Sequence, residues 1–251
     1  MLRLGSWCFL LAGSVFVTAC TQVPSSSVEQ SPMSNPSKPE SGNASPSAQS
    51  TQPGPSGKPF PQTINALYFR AFKAEDELEI WFQSSPNEQY KLYHNYKVLK
   101  SSGKPGPKRK EGDRQVPEGF YTINRFNPKS KFHLSLGLDY PNKSDLIRSD
   151  QTRPGSDIFI HGSNVSIGCL AMGDDTIEEI YALAKLAPRK NRVDIFPYRM
   201  ESETHKEKIK QYPEFSDFWT TELLPAYIAF NKSQQPAAYE VDSNGAYVHS
   251  D

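Results

Sequence analysis

Cys169 and His161 lie eight positions apart in the stretch IHGSNVSIGCLAM, and their types and spacing suit covalent chemistry. A thiolate attacks carbonyls far better than a thiol, and a free cysteine supplies little thiolate at neutral pH. A histidine within hydrogen-bond reach takes the thiol proton and returns it to a departing amine. The segment Gly162-Ser163-Asn164-Val165-Ser166 is built mostly of small residues, so the chain can double back and bring the two side chains together. Gly168 lets the backbone approach a substrate closely. Backbone N–H groups around Gly168, Cys169 and Leu170 can then face a developing oxyanion, with Gly162 a further backbone candidate. The competing reading is a packed thiol beside a structural histidine. One Cys and one His with Asp174 and Asp175 nearby lack the paired spacing of a zinc site, so neither metal nor other cofactor is expected.

The chain must place this pair in a cellular compartment and on a fold. Basic and acidic residues balance at 28 each, which argues against nucleic acid as a partner. Arg3 followed by the apolar run Leu4 to Ala19 reads as a secretory signal, too short for a comfortable membrane span. It ends Val17-Thr18-Ala19-Cys20, which resembles a bacterial lipobox with Cys20 as the lipidated residue. Cys8 lies inside the removed segment, so Cys169 is left as a lone thiol in an oxidising compartment. Exported proteins ordinarily pair their cysteines, so such a thiol is either buried and inert or reactive by design.

Four segments follow from composition: a signal peptide at 1–20, a tether at 21–59, a catalytic domain at 60–200 and a C-terminal helical extension at 201–251. The tether is rich in Ser, Pro, Gln, Asn and Gly and buries too little to offset chain entropy. A flexible chain of that length spans about 35 Å root-mean-square. Ile64 to Phe72 and Leu78 to Phe82 predict a hairpin, and the period of two from Tyr90 to Val98 predicts a third strand. Ser101 to Gly112 reads as a loop whose lysines form a solvated face. Strands follow at Gly119 to Asn124, Phe132 to Leu138, Ile158 to His161 and Val193 to Phe196. Ile177, Ile180, Tyr181, Ala184 and Ala187 predict a helix, opened by an Asp175–Glu178 capping box and stopped by Pro188. Phe215 to Phe230 predicts a helical cap that Pro225 interrupts. The fold class is mainly β with a few helices.

Ile160-His161-Gly162 followed by Ser166-Ile167-Gly168-Cys169 resembles the signature of the YkuD-type L,D-transpeptidases. Val116-Pro117-Glu118-Gly119-Phe120-Tyr121 resembles the P-x-G-x-[FY] strand entry of the same family. The resemblance covers roughly residues 64 to 200. It implies an L,D-transpeptidase-like mixed β-sandwich acting on peptidoglycan stem peptides. Cys169 would attack the carbonyl at the L-centre of meso-diaminopimelate and form a thioester. His161 would act as base and acid, oriented by a backbone carbonyl just after it. The family's usual arginine after the nucleophile is replaced by Leu170-Ala171-Met172, and the His-to-Cys loop is short. Both features, with Arg109 to Tyr121 and Asn127-Pro128-Lys129-Ser130, resemble the YafK-like branch. A member of that branch cuts the amide that joins Braun's lipoprotein to meso-diaminopimelate, so either transfer or cleavage is implied.

Stem peptides carry carboxylates, so a partly buried cation is expected near the thiol. Arg153 is the first candidate and Arg148 the second. Ser166 and Tyr140 are further substrate-side candidates, while His133 reads as structural. The expected setting is the periplasmic envelope, with a lipid anchor in the outer membrane, since Thr21 is not the aspartate associated with inner-membrane retention. The alternative function is a non-catalytic murein-binding lipoprotein that keeps the fold.

Overall fold

Successive residues of one strand, Ala66–Phe72 (β1), face two different cores. Leu67, Phe69 and Ala71 join one buried cluster, and Phe72 joins another. A strand covered on both faces cannot alternate apolar with polar, which is why this segment reads as a continuous apolar run. The structure is a computed structural model that describes residues 54–189 and 191–250. The signal segment, Cys20 and the tether up to residue 53 lie outside the described residues.

β1 pairs with Glu77–Gln83 (β2), and β2 with Lys91–Lys97 (β3). Gly119–Ser130 (β4) and His133–Leu138 (β5) form a second hairpin. Phe159–His161 (β6), Leu170–Ala171 (β7) and Arg192–Phe196 (β8) complete an eight-stranded sheet in the order β3-β2-β1-β8-β4-β5-β6-β7. β1 with β8 and β6 with β7 are the parallel pairs. Past β3 the chain reaches the far end of the sheet. There the Leu99 N–H bonds the Ala171 carbonyl at 2.9 Å, and the Ala171 N–H bonds the Lys100 carbonyl at 3.0 Å. The sheet therefore curls until its two ends meet, giving the sheet-dominated fold expected.

The first cluster fills the inside of that curl and is closed by Asp174–Leu186 (α2), whose Ile177, Ile180, Leu183 and Ala184 are buried. The second lies on the outer face of β1, β8 and β4, under the C-terminal region. That region comprises Ser202–Gln211 (α3), a 3-10 turn at Pro213–Phe215, Ser216–Phe218 (α4), a π-helical turn at Trp219–Leu223 and Leu224–Ser233 (α5). The helical cap is thus present. Its π turn falls just before Pro225, which has no N–H to continue the regular ladder. Trp219 is fully buried and its indole N–H donates to Glu118 at 2.8 Å. The other Glu118 oxygen accepts from the Lys73 ammonium at 2.9 Å and from the Gly106 N–H at 2.6 Å. One carboxylate so ties the C-terminal cap, the sheet and the 101–117 loop together.

Several local expectations are corrected. Lys143–Arg148 (α1) forms where no element was expected, because Asn142 and Asp145 make a reciprocal capping box. No such box opens α2: its N-cap is Gly173 with φ 83°, and Glu178 instead contacts His133 at 2.6 Å. A terminal hairpin, Tyr239–Val241 (β9) with Tyr247–His249 (β10), also forms. Residues 54–59, placed in the tether by composition, contact the domain: Ser56 N–H donates to Glu179 at 2.9 Å and the Lys58 ammonium to the Tyr93 carbonyl at 2.9 Å.

Candidate active site

Parallel strands usually need a long crossover, yet β6 and β7 are joined by residues 162–169 alone. The strands are three and two residues long, so the return path is short. The loop turns through left-handed backbone at Ser163 (φ 62°) and Gly168 (φ 92°). In register, Ile160 faces Leu170 and His161 faces Ala171. Side chains alternate along a strand, so the residue before Leu170 shares the face of His161. The fold thereby brings Cys169 and His161 to one surface as diagonal neighbours.

His161 is buried, its ring tilted against Phe132 with centroids 4.7 Å apart. Nδ1 lies 2.6 Å from the Gly162 carbonyl oxygen. A carbonyl only accepts, so Nδ1 carries the proton and Nε2 is left with a lone pair. Burial lowers the imidazole pKa, with the Gly162 carbonyl bond acting in the opposite direction. The ring is a neutral base at neutral pH.

Cys169 is half-buried, and its thiol lies 3.7 Å from the Asp157 carbonyl oxygen, its hydrogen-bond partner in place of the imidazole. Burial raises its pKa. A backbone hydrogen bond at Phe159 is the main opposing influence, the negative charge of Asp157 adds to the rise, and the positive charge of Lys108 opposes it last. Both shifts favour the uncharged forms, thiol and neutral imidazole, over an ion pair. Ser166 braces the nucleophile from both sides. Its hydroxyl accepts from the Cys169 N–H at 2.9 Å and donates to the Cys169 carbonyl at 2.6 Å.

The expected oxyanion donors are engaged in this conformation. The Gly168 N–H donates to the Ser102 hydroxyl at 2.6 Å, and the Gly162 N–H donates to the Leu134 carbonyl at 3.1 Å. Gly162 serves through its carbonyl, as the histidine's orienting group. A Cβ on Gly162 would lie 2.7 Å from both an Asp174 carboxylate oxygen and the Phe132 carbonyl, so only glycine fits there. Leu170 is buried in β7.

The cations lie elsewhere than expected. Arg153 is 70% exposed and pairs with Glu111 at 2.7 Å. Arg148 sits on α1 with both guanidinium nitrogens on Glu222, at 3.0 and 2.8 Å, and fastens the C-terminal cap. Tyr140 is buried, its hydroxyl donating to the Pro154 carbonyl at 2.8 Å. The buried cation is Lys108, from the loop read as a solvated face. Its ammonium donates to Asp113 at 2.6 Å and to the Lys110 carbonyl at 2.9 Å. Asp113 also accepts the Gln115 N–H at 3.1 Å. Gly168 lies so close to the Gln115 carbonyl that a Cβ there would come within 3.1 Å of it. Gly155 leaves room for the lysine stem, since a Cβ there would meet Lys108 Cε at 2.8 Å. The signal that marks Lys108 in sequence is its setting five residues before Asp113, between Gly106-Pro107 and Gly112, in a loop too rich in turn residues to stay extended.

Beside the histidine loop lies a cavity of about 490 Å³ lined by Leu99, Ser163, Asn164, Met172, Gly173, Asp174, Asp175 and Thr176. Among the described residues, no group of three His, Cys, Asp or Glu side chains is placed to hold a metal.

This chain is similar to known proteins. The L,D-transpeptidase catalytic domain family, YkuD, matches residues 79–195. The L,D-transpeptidase-type protein YafK of Escherichia coli K12 is 34% identical over 204 residues, covering 78% of this chain and 79% of YafK. The chain belongs to the L,D-transpeptidase family. YafK of Escherichia coli O157:H7 matches with the same identity and coverage. Among solved structures, the helical cell shape determining protein Pgp2 of Campylobacter jejuni is similar at TM-score 0.43 and 15% identity, over 72% of this chain and 77% of Pgp2. A single-residue variant of Pgp2 gives TM-score 0.45 and 21% identity over 66% of this chain and 60% of that one, so this chain spans less than two thirds of it. An L,D-transpeptidase of Xylanimonas cellulosilytica gives TM-score 0.33 and 13% identity over 55% of this chain and 64% of that one. For this L,D-transpeptidase-family chain, the family match contains both Cys169 and His161.

Proposed function

We propose that this L,D-transpeptidase-family protein acts on peptidoglycan stem peptides through a thioester at Cys169. The observation that carries the reading is the His161 ring, held at Nδ1 by the Gly162 carbonyl, in a strand paired with the one that Cys169 directly precedes. The Cys169 sulfur attacks the carbonyl at the L-centre of meso-diaminopimelate while His161 Nε2 takes the thiol proton. The tetrahedral oxyanion is met by the backbone N–H of Gly168 once the Ser102 hydroxyl releases it, while Ser166 keeps its hold on Cys169. The C–N bond then breaks, and the imidazolium proton leaves with the amine. An acceptor amine or water attacks the thioester, giving an exchanged amide or a free carboxylate. Which of the two reaches the thioester first decides between transpeptidation and the release of a covalently bound Braun-type lipoprotein.

Lys108 supplies positive charge on the thiol's side of the site, suited to a stem-peptide carboxylate. Lipidation at Cys20 and a Ser/Pro-rich tether would hold the domain in the periplasm, anchored at the outer membrane and within reach of the wall. The test offers purified protein two substrates, tetrapeptide muropeptides and muropeptides bearing a lipoprotein-derived lysine peptide, with products read by mass spectrometry. The expected products are 3–3 dimers or freed lysine peptide, both lost in Cys169→Ala. Turnover by Cys169→Ala at the wild-type rate would overturn the reading in favour of a non-catalytic murein-binding module.

A further inference from the structure

The peptide group between Gly162 and Ser163 is bonded at both ends. Its carbonyl oxygen accepts from His161 Nδ1 at 2.6 Å, and its N–H donates to the Asp174 carboxylate at 2.7 Å. In a trans peptide the C=O and N–H point in opposite directions, so imidazole, peptide and carboxylate stand in one line. We propose that Asp174 is a positioning residue for the catalytic imidazole, acting through the Gly162–Ser163 peptide as the remote carboxylate of a Cys169–His161–peptide–Asp174 relay. This rests on reading His161 as the base.

Three features support the assignment. First, Ser163 holds a positive φ of 62°, unusual for a residue with a Cβ. Such backbone persists only where neighbours fix it, and the Asp174 contact is one that does. Second, Asp174 is the first residue of α2, behind an N-cap, Gly173, that has no side chain to bond the helix. Its Oδ1 goes to the Ser163 N–H. Third, hydrogen bonds in series polarise one another. A carboxylate on the N–H makes the carbonyl oxygen more negative, which strengthens its bond to Nδ1–H and stabilises the imidazolium formed when Nε2 takes the thiol proton. Asp174 gains no proton: Nδ1–H stays on the ring and the peptide N–H stays on nitrogen. A backbone carbonyl by itself is a weaker partner for an imidazolium than a carboxylate. The relay lends it part of a carboxylate's effect.

Other charged groups surround the ring and must be separated from this effect. The helix α2 brings Asp175 and Glu178 as well as Asp174. β5 brings His133, which contacts Glu178 at 2.6 Å. Asp157, just before β6, and Lys108 lie on the thiol side.

The experiment is an NMR titration of His161 in the intact protein, assigned by difference from His161→Gln. Four forms are compared: wild type, Asp174→Asn, Asp174→Ala and Asp175→Asn. Asp174→Asn keeps an acceptor for the Ser163 N–H and removes only the charge. It is expected to lower the His161 midpoint by about half a unit to one unit, with a fall in kcat and little change in KM. Asp174→Ala is expected to lower it at least as far, and Asp175→Asn, which removes the same charge one residue along, to leave it in place. A His161 midpoint unmoved in Asp174→Asn, or moved equally by Asp175→Asn, overturns the relay. The titration uses no peptidoglycan, so its outcome is independent of whether the proposed substrate is right.

Discussion

Ser166 grips Cys169 through one hydroxyl, accepting from its N–H at 2.9 Å and donating to its carbonyl at 2.6 Å. The nucleophile is thus fixed by the residue that opens the S-x-G-C segment. Removing the hydroxyl deletes both bonds and loosens the left-handed turn at Gly168. Each such bond contributes about 1 kcal/mol net, and a misplaced nucleophile loses more than that in rate. Ser166→Ala is expected to lower kcat/KM by about tenfold to a hundredfold, with an unchanged circular dichroism spectrum. Ser166→Thr should restore most of the loss. Wild-type turnover in Ser166→Ala would show that the grip does not matter to the chemistry.

The resting protonation state is open to a direct test. Burial lowers the His161 pKa below the ordinary histidine value and raises that of Cys169 above the ordinary thiol value. Both shifts favour the uncharged forms at neutral pH. Iodoacetamide reacts with the thiolate, so the alkylation rate of Cys169 should be low at pH 7 and climb only above about pH 9. An imidazolium–thiolate pair would instead give a plateau reaching down into the acid range. For kcat/KM with peptide substrate the acid limb should fall below the ordinary histidine value. A flat alkylation profile from pH 5 to pH 8 would mean that the pair is ionised at rest.

The pair itself was legible in the sequence because it is local: His161, Gly162 and Cys169 lie within one short loop, and their order carries the family signature. The strands of the inner curl were legible for the same reason, through their apolar runs. What escaped depended on contacts distant in sequence. Lys108 reads as one lysine among several until Asp113 and Gly155 are seen to enclose it. Arg148 was a reasonable cation until Glu222, 74 positions away, is found on its guanidinium. Within the helical extension at 201–251 the bounds of α3 were not legible, because its face is mostly polar, with His205 its one buried residue. The Asp175–Glu178 capping box is absent because Gly173, without a side chain, stands at the N-cap and Glu178 is taken by His133.

Lys108 offers a test of the buried cation. Its side chain and that of Asp113 are only 7% and 12% exposed. Removing one partner of such a pair typically costs about 3–5 kcal/mol. Asp113 keeps the backbone N–H groups of Arg109, Lys110 and Gln115, so the lower end is expected. Lys108→Met should lower the melting temperature by several degrees and move the alkylation midpoint of Cys169 upward by about half a unit. Lys108→Arg should hold that midpoint. A midpoint that stays put in Lys108→Met would confine the lysine to a structural role.

Asp145 gives a pH dependence of stability with a definite sign. It is buried in α1, where desolvation raises its pKa from 3.8 to about 6 against the opposing bonds from Asn142 and the charge of Arg109. A carboxyl whose folded value exceeds its unfolded value binds its proton more tightly when folded. Its contribution is full below about pH 3.8 and is lost as the pH rises through about 6. The shift corresponds to roughly 3 kcal/mol. Asp145→Asn removes the titration and keeps an oxygen to accept the Asn142 N–H. Denaturant unfolding of both proteins at pH 4.5 and pH 8 should show the variant gaining on wild type by roughly 2–3 kcal/mol over that interval. The effect should be concentrated between about pH 4 and pH 6. If the difference between the two proteins were the same at both ends, Arg109 at 3.6 Å would be holding Asp145 ionised throughout, and the burial argument would fail.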